Sequence, residues 1–193
     1  MRDTEASGVA SAALIPWRLR VAGVHVDLSE LITATAQWLT RAYPSRGAFS
    51  SALSEVQARQ AVTVAAWLRY PTAMDAALVT MAGPGGSARL DRVTGGFGAQ
   101  DPHPWCSWVD EVVASWAACL LAGPSLAEAA VAALAGGEHM SDGAAGFRRL
   151  VSPDAHDLEA AALLRHPDLL QPISALHRDG LLDRLGQDFT LAH

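Results

Sequence analysis

The chain has 193 residues, half of them apolar, and a formal net charge of -6, and its fourteen basic residues are all arginines spread along the chain. Nucleic-acid binding driven by phosphate neutralisation needs clustered cations, and an anionic membrane surface attracts basic runs, so the composition disfavours both partners. The apolar content is sufficient for one core without disulfides or metals, and one domain is the expectation.

The cysteine content and the N-terminus favour a soluble, cytoplasmic protein. Cys106 and Cys119 are too few for a disulfide framework, and a helix between them would hold them too far apart to pair. Free thiols fit a reducing compartment. Asp3 and Glu5 beside a short apolar run make a poor signal peptide, and no apolar run approaches the ~18 residues of a membrane span. Abundant alanine and arginine without lysine favour a bacterial source.

The first elements combine one period-two segment with three helices. Residues 1–14 are polar and small, and we expect a flexible start there. Apolar and polar residues alternate over 17–28, which predicts a short β-hairpin. Thr72 is the expected cap of the third helix. Start and stop signals predict these helices over 30–43, 52–69 and 73–82.

The segment 83–105 is the longest irregular stretch of the sequence. Its glycines and prolines interrupt any helical or strand pattern. A loop of this length inside a compact domain is either functional or disordered. Because glycines permit hinge motion, this loop is a candidate lid over a pocket.

Capping signals predict the helices that follow. Ser107 with Asp110, and Ser125 with Glu128, have the form of capping boxes. The predicted helices cover 108–122, 126–135, 143–151, 153–165 and 168–180. The last segment, "LLDRLGQDFTL", predicts two short strands about Gly186.

The C-terminal pattern of helix, Gly180 and "LLDRLGQDFTL" resembles the last helix and wing of winged-helix domains. The resemblance implies a small C-terminal β-wing, whereas the negative net charge argues against DNA reading. The predicted fold is therefore a single, mainly α-helical domain over 15–193 with a short N-terminal β-hairpin and a small C-terminal β-wing.

A candidate nucleophile lies where the glycine-rich loop meets the next helix. Cys106 precedes a predicted helix N-terminus, where the macrodipole stabilises a thiolate. His103 is close enough in sequence to meet it in a turn as a base, and Asp101 could orient the imidazole. Glu111 is a second candidate for orientation or proton transfer. The alternative is a small, buried Cys106 beside an exposed turn histidine.

A candidate ligand pocket surrounds the same loop. Trp105 and Trp108 flank the cysteine, and indoles line apolar ligand pockets as well as cores. Phe97 in the loop and Arg148 further along the chain are the other predicted ligand-binding residues. Core packing alone also explains tryptophans at helical spacing.

Metal and nucleotide sites are disfavoured. The spacing of His103 and Cys106 supplies two zinc ligands, but no second close pair follows. The glycine runs lack the Gly-Lys-Ser/Thr of a phosphate-binding loop, and the chain has no lysine. We therefore predict no metal and no cofactor.

Two functions remain open from the sequence. The first is a small-molecule enzyme or binding protein with a tryptophan-lined apolar pocket under the glycine-rich loop, acting on a small apolar or aromatic molecule in a bacterial metabolic or natural-product pathway. The second is a non-catalytic helical adaptor or accessory subunit. Its alanine-rich helices, especially 126–135, have small flat faces suited to a protein partner or to a second copy in a homodimer.

Overall fold

The computed structural model describes residues 28–96, 103–140 and 144–190, with side chains for all of these except 144–145 and 187–190. No helix in these ranges is both long and apolar enough to cross a membrane. Two 3₁₀ helices, Pro104–Trp108 and Ala144–Phe147, accompany the α-helices. The α-helices are α1 Ser29–Ala42, α2 Ala48–Arg69, α3 Ala73–Ala82, α4 Ala88–Thr94, α5 Glu111–Ala122, α6 Pro124–Ala133, α7 Arg148–Val151, α8 Ala155–Ala160, α9 Pro167–Ser174 and α10 Arg178–Thr190.

The core lies around the helix pair α2 and α5. Helix α2 packs against α1, α5 and α8, and α5 packs against α9 and α6 as well. The contacting faces are rich in fully buried alanines, including Ala61 and Ala65 on α2 and Ala117 and Ala118 on α5. Because the spacing of packed helices depends on the side chains between them, small residues let these two helices approach closely.

The prediction of a mainly helical chain is confirmed, but its β content is wrong. The described residues contain no β-strand. The tail predicted as a wing forms α10, which runs through both Gly180 and Gly186. Leu181 and Leu185, four residues apart, are both buried. Packing of this helical face therefore outweighs the tendency of the two glycines to interrupt the helix. The hairpin predicted over 17–28 lies almost wholly outside the described residues, as do 1–14.

The N-cap residues of three helices can be compared with those expected from the sequence. Thr72 is the N-cap residue of α3, as predicted, and it forms a reciprocal capping box with Asp75. Ser107 does not open α5, because Asp110 is the N-cap residue and accepts a hydrogen bond from the Val113 N–H. The helix predicted from residue 153 also begins later, with Asp154 as the N-cap residue of α8. In both cases the N-cap is an aspartate that follows the predicted serine or proline, and its carboxylate accepts a hydrogen bond from an unpaired N–H group of the first helical turn.

The stretch predicted as an open loop over 83–105 is partly helical. Helix α4 occupies its centre, and its Leu90 is fully buried. The 3₁₀ helix Pro104–Trp108 closes its end and packs on α1. Residues 97–102 of the stretch lie outside the described residues.

Candidate functional site

Helix α3 presents an apolar face to solvent. Met74, Leu78 and Met81 are 69%, 52% and 78% exposed. Their i, i+4, i+7 spacing places all three side chains on one side of the helix. Contiguous apolar exposure of this kind is a mark of an interaction surface, whereas isolated exposed residues are ordinary. We call Met74, Leu78 and Met81 the α3 face.

The other side of α3 explains why the helix holds its position. Ala76 alone among the residues of this fully described helix is buried, and Val79 packs partly against the core. The N-terminus is anchored by Glu138, whose Oε2 accepts a 2.9 Å hydrogen bond from the Ala73 N–H. Hydrogen bonds from Thr72 lower the pKa of Asp75. The single charged residue of α3 is therefore committed to the cap, which leaves the outward face uncharged.

A cleft of about 420 Å³ continues the α3 face at the C-terminal end of the helix. It is lined by Thr80, Met81, Ala82, Gly83, Gly85, Ser107 and Trp108. Gly83 has a φ of 72°, a left-handed conformation that glycine adopts without strain. The Gly86 N–H then donates a 3.1 Å hydrogen bond to the Val109 carbonyl, which brings Trp108 opposite the turn. The tertiary structure thus joins the predicted ligand residue Trp108 to α3.

The predicted nucleophile and base do not meet through their side chains within the described part of the chain. The Cys106 N–H donates a 2.8 Å hydrogen bond to the His103 carbonyl. The exposed His103 imidazole instead stacks on Trp105, with ring centroids 6.0 Å apart. Arg41 lies over the same indole, 5.3 Å from its centroid. Use of Cys106 as a nucleophile stays a prediction.

The remaining predicted residues are distributed over different places. Asp101 and Phe97 lie outside the described residues. Arg148 begins α7, is exposed, and forms a 3.8 Å ion pair with Asp154. Glu111 lies at the start of α5 and is the only one of the predicted catalytic group that joins a described cluster of charged side chains.

The cluster around Glu111 was not foreseen from the sequence. Its Oε1 lies 2.7 Å from His177 Nε2 and 3.0 Å from Arg89. Ser115 and Trp116 hold the backbone of His177, because Ser115 Oγ accepts from its N–H and Trp116 Nε1 donates to its carbonyl. A carboxylate can orient an imidazole for proton transfer. The same contacts also explain a structural role, since they tie α5 to the junction of α9 and α10.

No group of three or more His, Cys, Asp or Glu side chains is placed to hold a metal ion among the residues that the structure describes. No protein-family model matches the chain, and neither the curated proteins nor the solved structures include a significant match to it.

Proposed function

We propose that this protein is a non-catalytic interaction module and that the α3 face is its binding surface, with a second copy of the chain as occupant. The exposure of Met74, Leu78 and Met81 supports the proposal most strongly. Methionine side chains are flexible and polarizable, which suits them to contact surfaces.

The pattern of α3 favours antiparallel self-pairing. Met74 precedes Leu78 by four residues and Met81 follows it by three, so the face is nearly symmetric about Leu78. A two-fold axis beside Leu78 would place the Met74 of one copy opposite Ala82 of the other. Ala82 lines the Trp108 cleft. The methionine of each copy would then enter the cleft of its partner and contact the indole.

Charge and area set the strength of this pairing. Each chain carries a net charge of -6, but the α3 face itself is uncharged, and the Asp75 carboxylate at the edge of the contact is hydrogen-bonded in the helix cap. A helix of ten residues is about 15 Å long, so the two faces bury less than the roughly 800 Å² per partner of a standard interface. We therefore expect a reversible dimer with a dissociation constant in the micromolar range.

The first experiment is analytical ultracentrifugation over a range of protein concentrations. The unmodified protein should shift from monomer to dimer as concentration rises. Leu78→Glu should remain a monomer, because it places a charge at the centre of the contact. Leu158→Glu is the matched control, since Leu158 is 49% exposed on α8, and it should dimerise normally. A protein that stays monomeric at all concentrations, or a dimer unaffected by Leu78→Glu, would contradict the proposal.

Cysteine cross-linking tests the geometry separately. A Leu78→Cys variant should form a symmetric intermolecular disulfide under mild oxidation, because the proposed axis passes beside this residue. Met81→Cys should not, since each residue 81 would face residue 75 of the other copy. Peptide mapping separates these products from disulfides of Cys106 and Cys119. Equal cross-linking at both positions would exclude the antiparallel arrangement.

Binding of a small apolar or aromatic molecule in the Trp108 cleft is a second candidate function, and the aromatic wall and volume of about 420 Å³ favour it. Such a ligand should shift the fluorescence of the unmodified protein but not of Trp108→Phe, and it should weaken dimerisation.

We place the protein in the cytoplasm as part of the proposal, because both cysteines are free thiols.

A further inference from the structure

A second cleft lies at the opposite end of α3, between the end of α2, the turn after α6, and α10. Its volume is about 120 Å³. Trp67, Leu68, Pro71, Leu134 and Met140 supply apolar walls, and His139 and Arg184 supply the polar groups. A pocket of this kind, mostly apolar with a few convergent polar groups, is the usual form of a small-molecule site.

Arg184 brings a positive charge to this cleft, and this charge adds a smaller contribution than the Thr72 hydrogen bonds to the lowered pKa of the nearby Asp75. Its Nε is buried and has no hydrogen-bond partner there, and no described carboxylate forms an ion pair with it. The nearby Asp75 and Glu138 are already bound to the backbone at the start of α3. The guanidinium carries further N–H donors, and a ligand oxygen would bind those that face the cleft.

His139 is held rigidly in the wall of the cleft. Its Nε2 lies 2.8 Å from the Tyr70 carbonyl. Because a carbonyl can only accept, Nε2 carries a proton in this contact. The imidazole also stacks on Trp67 with ring centroids 5.8 Å apart, and Phe147 packs edge-on against the same indole. The His139 side of the cleft is therefore preorganised before a ligand binds.

An apolar depression adjoins the cleft on the surface of α6. Its volume is about 470 Å³, and its lining is apolar apart from one carboxylate: Glu128, Val131, Ala132, Ala135, Gly136, Met140 and Val151. Met140 also lines the Trp67 cleft, so this flexible side chain is the common wall of the two spaces. On α6, Ala132 lines the depression, whereas the next residue, Ala133, lines the Trp67 cleft.

We infer that the two spaces together bind one amphiphilic monocarboxylate, a fatty-acid-like molecule of short to medium chain length. The carboxylate lies in the Trp67 cleft on the Arg184 guanidinium, whose planar donors match a carboxylate. The alkyl chain passes Met140 and covers the depression on α6. The site uses neither the α3 face nor the Trp108 cleft, so it stands or falls independently of the dimer.

Calorimetric titration with octanoate tests the carboxylate contact. We expect one site per chain with a dissociation constant below about 1 mM. Arg184→Gln should weaken binding by about tenfold or more, because it removes a charge-assisted pair. Arg148→Gln is the matched control, since Arg148 is exposed on α7, and it should bind normally. Absence of saturable binding, or equal affinity in Arg184→Gln with its fold verified by circular dichroism, would overturn the inference.

A chain-length series tests the second half of the site. Affinity should rise from butyrate to octanoate by about threefold per methylene. Octan-1-ol should bind at least about tenfold more weakly than octanoate, because it lacks the charge. Ala132→Phe should fill the depression, reduce octanoate affinity to that of butyrate, and leave butyrate unaffected. A flat series, or equal binding of octan-1-ol and octanoate, would contradict the placement.

Discussion

Trp38 on α1 donates a hydrogen bond from its indole Nε1 to Oδ1 of Asp91 on α4, at 2.7 Å. The other carboxylate oxygen accepts from Ser87 Oγ at 3.0 Å. One carboxylate therefore ties α4 to α1 and closes the turn that precedes α4. Because α4 follows the Gly83–Gly86 turn, this bond also positions one wall of the Trp108 cleft.

Removal of the Asp91 carboxylate should loosen α4. Asp91→Ala leaves the Trp38 indole and the Ser87 hydroxyl without their partner, and we expect a loss of about 2–3 kcal/mol in the free energy of unfolding. Asp91→Asn should cost less, because its amide oxygen still accepts from the indole. Urea denaturation measures both, with Asp179→Ala as an exposed control on α10. Equal stability of Asp91→Ala and the control would show that the contact contributes nothing.

The pair of Tyr70 and Asp110 should give the protein an alkaline stability limit. The Tyr70 hydroxyl donates to Asp110 Oδ2 at 2.6 Å, and burial, followed by this contact, raises the pKa of Tyr70 well above its ordinary value of 10.0. The unfolded chain then releases its proton at a lower pH than the folded chain. This contribution to stability is complete below pH 10 and is lost progressively as pH rises above it.

Unfolding measured between pH 9 and pH 11.5 checks this assignment. The free energy of unfolding of the unmodified protein should fall with a steeper slope than that of Tyr70→Phe, which retains Tyr43. At pH 7, Tyr70→Phe should lose about 1–3 kcal/mol, because Asp110 is buried and would lack one partner. Parallel pH profiles would contradict the assignment.

Arg165 should be among the most sensitive positions of the core. Its buried guanidinium donates to Gln57 Oε1 at 2.5 Å and to the Arg149 carbonyl at 2.7 Å, with further bonds to Leu150 and Leu121. Burial lowers its pKa. Arg165→Met would leave these acceptors without a donor, and we expect a loss of about 3 kcal/mol or more.

Thermal and urea unfolding of Arg165→Met measure this loss. Arg148→Met, at an exposed position on α7, should change stability by less than about 0.5 kcal/mol. Similar effects of the two substitutions would show that the buried network is not a main source of stability.

The two cysteines should differ sharply in reactivity. Cys119 is 2% exposed, and burial raises the pKa of its thiol, so it should react with a thiol reagent only after unfolding. Cys106 is half-buried and should react first in the folded protein. Stopped-flow labelling with Cys106→Ser and Cys119→Ser assigns each phase. Rapid labelling of Cys119 in the native state would contradict its burial.

Local patterns were sufficient for most of the helical content. Thr72 was predicted as the cap of α3 because it directly precedes the helical pattern, and the structure confirms it. The same reasoning misplaced the start of α5, because Ser107 and Asp110 both resemble N-caps and packing decided between them. At the C-terminus, the spacing of Leu181 and Leu185 was a helical signal outweighed in the prediction by Gly186. The sequence analysis therefore predicted a β-wing where the structure has α10.

By itself the sequence determined a mainly helical chain and the absence of clustered cations, because helix periodicity, capping and charge are properties of neighbouring residues or of composition. The tertiary structure alone decided that Trp108 meets the end of α3, that Glu111 meets His177 across 66 positions, and that Arg184 and His139 line one cleft. The solvent exposure of the α3 face could not be predicted from the sequence either, since an apolar helix can be either buried or exposed. These relationships depend on which helices pack together, and that choice is set by the summed burial of the whole core rather than by any local pattern.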